Sequence, residues 1–84
     1  MEIKILGTGC PNCQRLERIA REAVTEMGVE ATFVKVTDMR KIMTYDILGT
    51  PGLVINEKVA SSGRIPTKSE IVSMLATALS EVEA

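Results

Sequence analysis

Cys10 and Cys13, separated by Pro11 and Asn12, carry the most reactive side chains of this sequence. A thiolate is a nucleophile and also a soft-metal ligand, so the pair admits two chemistries, disulfide exchange and metal binding. At the start of a helix, this spacing puts the second sulfur about one turn further in, near enough to close a disulfide. The free N–H groups and positive end of that helix would lower the pKa of the first thiol. Cys10 is therefore expected to attack and Cys13 to resolve. Pro11 stiffens the backbone between them, and Asn12 adds no charge. A structural staple is disfavoured, because structural disulfides are rare in reducing compartments. A closed zinc site wants four ligands, and with no His and no third Cys it would have to recruit carboxylates or a second subunit. A Cu(I) carrier using the same two thiolates stays open.

The pattern around the dithiol supplies the elements that would hold it. Ile3, Ile5 and Leu6 form a β-rich run stopped by Gly7-Thr8-Gly9, a first strand ending in a loop. From Pro11, apolar Leu16, Ile19, Ala20, Ala23, Val24 and Met27 recur at helical spacing, and Gly28 is placed to end the helix. Ala31 to Val36 reads as a second strand. Asp38 is a plausible N-cap for a short helix through about Tyr45, with Met39, Ile42, Met43 and Ile47 as its buried face. Leu53 to Ile55 and Lys58 to Ala60 are close enough to form a hairpin over Asn56-Glu57, with Asn56 suited to a left-handed turn. Thr67 with Glu70 three residues on has capping-box spacing ahead of a last helix with Ile71, Val72, Met74, Leu75 and Leu79 inside. A crossover helix makes the first two strands parallel and a tight turn makes the last two antiparallel. The expected fold is α/β, in the order β-α-β-α-β-β-α, with a mixed four-stranded sheet flanked by three helices.

Eighty-four residues suffice for a single domain over 1–84 with one core. That core must be aliphatic, since Phe33 and Tyr45 are the only aromatics and Trp is absent. A net charge of -1 and so few stacking side chains argue against nucleic acid. No run approaches the ~18 apolar residues of a membrane span. Met1-Glu2-Ile3-Lys4-Ile5 opens without a basic region followed by an apolar run, so a cytoplasmic location is expected. The chain is also expected to act as a monomer.

The dithiol after a first strand, the element order, and Thr50-Pro51 just before the third strand together resemble the thioredoxin-like superfamily. More closely, Gly7-Thr8-Gly9-Cys10-Pro11-Asn12-Cys13 and Ser62-Gly63-Arg64-Ile65-Pro66 look like the small redox-active disulfide proteins of archaea and bacteria. The resemblance implies a thiol-disulfide oxidoreductase that needs no cofactor of its own. It implies a cis bond at Pro51 beside the dithiol, with Pro11, Asn12, Thr50 and Pro51 contacting disulfide-containing protein substrates. It also implies a flavin-dependent thioredoxin reductase as electron source. Gly9 stands where ordinary thioredoxins carry Trp, and the first strand and helix of the larger fold are missing. Ser61-Ser62-Gly63-Arg64 lacks the paired-glycine and acidic glutathione pattern of typical glutaredoxins, and Arg64 reads as a solvated loop charge. Heavy-metal-associated domains are the rival resemblance, but they run β-α-β-β-α-β and end on a strand.

Overall fold

The computed structural model describes residues 1–83. Strand β1 (Glu2–Leu6) is followed by helix α1 (Pro11–Met27), β2 (Thr32–Val36), the one-turn helix α2 (Met39–Ile42), β3 (Gly52–Ile55), β4 (Lys58–Ser62) and α3 (Lys68–Glu83). The strands form one mixed sheet in the order β2-β1-β3-β4, parallel between β1 and β2 and antiparallel elsewhere. The α/β fold expected from the sequence is the fold observed.

Alternation along β1 divides the molecule into two layers. Ile3 and Ile5 face α1 and α3, where Leu16, Ala20, Ala23, Leu53, Ile71 and Leu75 close an aliphatic core. Leu6 faces the opposite side, where Val36, Ile42 and Val54 form a smaller cluster under Tyr45 and Ile47. Helix α1 stops where Gly28 turns left-handed at φ 68°, its N–H donating to Val24 O at 3.0 Å. Asn56 and Glu57 both take positive φ in the β3–β4 turn, and the Asn56 side chain accepts from Glu2 N at 3.0 Å. The capping box at α3 is reciprocal: Glu70 N donates to Thr67 Oγ1 and Thr67 N to Glu70 Oε1, each at 3.1 Å.

Helix α2 differs from expectation. It ends at Ile42 rather than near Tyr45, and of its expected buried face only Ile42 is fully covered; Met39 and Met43 are 52% and 76% exposed. The cause is the turn that follows, in which Thr44 N and Tyr45 N donate to Lys41 O and Ile42 O three residues back. That tighter winding carries Tyr45 and Ile47 onto the sheet in place of the two methionines.

Candidate active site

The last residues of β1 pair antiparallel with the first of β3, Leu6 opposite Gly52. Gly7, which follows Leu6, and Pro51, which precedes Gly52, are thereby brought to the same end of the sheet. Gly7 N also donates to Val36 O at 3.0 Å, extending the β1–β2 ladder by one residue, so the loop to Cys10 leaves from a fixed point. Thr50–Pro51 is a cis peptide bond, as the resemblance implies, and Pro51 O accepts from Gly63 N at 3.1 Å. Thr50 is exposed beside the buried Pro51. Pro11 and Asn12, in the first turn of α1, are also exposed.

Cys10 and Cys13 are joined as a disulfide with their Cα atoms 5.1 Å apart. Cys10 is the N-cap of α1, in extended conformation, and its Sγ accepts from Cys13 N at 3.3 Å. An orphan donor of the helix start thus points at the first sulfur. The two sulfurs differ in access: Cys10 is half-buried, whereas Cys13 is only 4% exposed.

Cys13 is packed against a position that the sequence pattern presented only as part of a flexible loop. A Cβ on Gly7 would collide with Cys13 Sγ, so the absent side chain makes room for the inner sulfur. No local sequence pattern signals this close approach, because the sulfur that Gly7 accommodates lies six residues further on. Behind Cys13 lies a cleft of about 70 Å³ lined by Gly7, Gly9, Gln14, Glu17, Lys35 and Thr37. Burial of the Glu17 carboxyl raises its pKa, but Lys35 Nζ at 3.1 Å and Arg21 Nε at 3.0 Å outweigh this and hold it below the usual carboxylate range. Arg64 is exposed, as expected of a loop charge, and makes a two-pronged contact with Glu70, at 2.8 and 3.4 Å.

The geometry joins a helix-capping sulfur, a buried second sulfur and a cis proline at one sheet end, and comparison with known proteins gives this arrangement its class. The family described as thioredoxin domain matches residues 1–76. The chain belongs to that family. It is 44% identical over 75 residues to a thioredoxin of Methanothermobacter thermautotrophicus, covering 89% of this chain and 97% of that one. It is 39% identical over 69 residues to a thioredoxin of Methanocaldococcus jannaschii, covering 82% of this chain and 79% of the relative. Of the two chemistries open to the dithiol, membership in the thioredoxin family selects exchange. The chain is a thiol-disulfide oxidoreductase, of the kind that takes disulfide-bearing proteins as substrates and is recharged by a reductase.

Proposed function

We propose that Cys10 is the attacking nucleophile and Cys13 the resolving thiol in the reduction of protein disulfides. The difference between the two sulfurs supports this: the one open to a partner also receives the helix N–H, and the other is sealed beneath it. A thiolate at Cys10 gains a charge-assisted hydrogen bond that a neutral thiol would use only weakly, so the helix start favours the reactive form. The Cys10 thiolate attacks one sulfur of the substrate disulfide; the new S–S bond is a mixed disulfide, and the other substrate sulfur leaves as a thiolate and takes up a proton. Cys13 then loses its proton and attacks Cys10 Sγ. The mixed bond breaks, the second substrate sulfur departs, and two electrons have passed to the substrate while Cys10–Cys13 becomes a disulfide.

Pro11, Asn12, Thr50 and Pro51 are the residues assigned to the substrate, Thr50 through its backbone to an extended partner segment. The oxidised pair is returned to dithiol by a flavin-dependent thioredoxin reductase. The protein acts as a cytoplasmic monomer, a single domain over 1–84; no described helix is long and apolar enough to cross a membrane.

The trapping experiment tests the assignment. Pre-reduced Cys13→Ser incubated with insulin should accumulate a covalent adduct through Cys10 that dithiothreitol releases, and Cys10→Ser should form none. An adduct that forms through Cys13 in the Cys10→Ser protein and not in the other reverses the roles. Absence of adducts in both variants, with wild type unable to speed insulin reduction by dithiothreitol, removes the reading altogether.

A further inference from the structure

The distribution of unpaired charge is lopsided toward the dithiol. Of the ten lysines and arginines, six lie in ion pairs: Lys4, Arg21, Lys35, Lys58, Arg64 and Lys68. The four without an acidic partner among the described residues are Arg15 and Arg18, in the first half of α1, and Arg40 and Lys41, on α2. All four are exposed.

Both helices open at the dithiol end. Cys10 caps α1, and Thr37, which leads into α2, lines the same small cleft as Gly9 and Cys13. Two acidic groups, Asp38 and Asp46, lie between β2 and β3 and offset part of this charge; the Asp38 carboxylate also accepts from the backbone N of Arg40 at 2.9 Å. Glu22 and Glu30, also without a cationic partner among the described residues, fall in the second half of α1 and beyond its end, away from the dithiol. A chain of net charge -1 therefore gathers the cations that lack an acidic partner among the described residues on two helices that open at the dithiol end, a basic border to that end. Apolar exposure has the same bias: among the described residues, the exposed large hydrophobic side chains Met39, Met43 and Leu48 lie between β2 and β3, Leu48 fully open two residues before Thr50, and only Val59 lies elsewhere.

We propose that this end selects partner disulfides set in acidic protein surfaces, the basic border steering the encounter and Met39, Met43 and Leu48 supplying the apolar contact. The proposal rests on the exchange reading above. The sulfur at this end makes a disulfide-bearing protein the occupant, since exchange requires the partner's own sulfur to reach Cys10. Steering of this kind acts on the rate of association and fades with salt, because exposed charges are screened beyond a Debye length.

Three cyclic disulfide peptides of one length, with the Cys pair flanked by Glu, Gln or Lys, separate the outcomes. Pre-reduced protein is mixed with each in single turnover at about 0.01 M and about 1 M ionic strength, where the Debye lengths are about 30 and 3 Å. At low salt the Glu peptide should react roughly tenfold faster than the Lys peptide, within the range electrostatic steering gives, and the ratio should approach one at high salt. With rates normalised to the Gln peptide, Arg15→Glu combined with Arg40→Glu should reverse the order. Glu22→Lys combined with Glu30→Lys, an opposite change of net charge away from the dithiol, should preserve it. Equal rates for the three peptides, or a preference that follows net charge and ignores position, overturn this proposal and leave the exchange reading intact. Failure to reduce even the Gln peptide removes both.

Discussion

The two faces of the sheet are built to different depths. On one, among the described residues, two long helices and the sheet enclose ten buried aliphatic and small side chains, and this face carries α1 and with it the dithiol. On the other, one turn of helix and a loop cover four, and this face carries the segment leading to Thr50–Pro51. The thin face compensates with polar contacts: Lys4, in the centre of the sheet, donates to Tyr45 Oη at 2.9 Å and pairs with Glu57 of the hairpin turn. A reactive pair that must keep its geometry through a catalytic cycle sits on the thick layer. The segment that runs to Thr50, which we assign to the partner, sits on the thin one, where few apolar contacts make local opening easier.

Truncation of one large residue in each layer measures that contrast. Leu16 is fully buried on the thick side, and Leu16→Ala should cost about 3–5 kcal/mol, a large share of the stability of a domain this size. Ile42 is 2% exposed in a layer that can relax inward, and Ile42→Ala should cost about 2 kcal/mol. Urea midpoints at unchanged m-value give both numbers. The thin-face variant should also lose insulin reduction in excess of its unfolded fraction, because Ile42 packs with the cluster that holds Ile47 and the approach to Thr50. Equal costs, with activity tracking the folded fraction in both, would erase the distinction.

Gly7 lies where the two layers meet, at the end of the strand they share. Gly7→Ala places a methyl group on Cys13 Sγ, and either the sulfur or the strand end must move. Overpacking of this kind costs about 1–3 kcal/mol. Its functional signature is specific to the resolving step: a mixed disulfide with insulin should persist in Gly7→Ala although both cysteines are present. Gly9→Ala meets no atom within 4 Å and carries only the strain of its positive φ, so it serves as the loop control. A Gly7 variant that resolves as fast as wild type would show that Cys13 does not depend on this contact.

The thick layer was the more legible in the sequence. Leu16, Ala20, Ala23, Ile71 and Leu75 repeat at helical spacing over long helices, and Gly28 and Thr67 mark their ends by capping chemistry that acts through neighbouring residues only. Pro11 and the helical spacing that follows it likewise located the start of α1. The thin layer was misread because periodicity has little to average over in one turn: Met39, Ile42 and Met43 fit a helical stripe equally well, and a turn stabilised by backbone bonds decided which of them is covered. Gly7 escaped because its role is set by a sulfur six residues on, through packing that no local pattern encodes. The Arg64–Glu70 pair escaped for a similar reason: Glu70 was already accounted for by its capping of Thr67, and nothing in the spacing showed that it also had a cation to hold.

Acid titration is the gentlest way to compare the layers, because each has an anchoring carboxylate near its edge. The Arg64 guanidinium, helped by Thr67 N, lowers the Glu70 pKa to about 2 in the folded chain from an ordinary 4.5. On the thin face, Lys4 holds Glu57 below its ordinary value, with Tyr45 Oη adding a weaker contact. A folded-state pKa below the unfolded one means that the unfolded chain binds protons first, so the stability each carboxylate contributes is present above about pH 4.5 and declines as pH falls. For Glu70 the loss is complete only below about pH 2. Wild type should therefore lose stability steadily from about pH 4.5 to about pH 2, measured as urea midpoint against pH. Glu70→Gln and Glu57→Gln should each flatten part of that slope, both by small amounts because the pairs are exposed to solvent. Only Glu57→Gln should also change exchange kinetics, since its partners Lys4 and Tyr45 secure the chain that runs on to Thr50. If Glu70→Gln altered exchange equally, the anchoring of that segment would belong to the whole domain and the division of labour between the faces would fail.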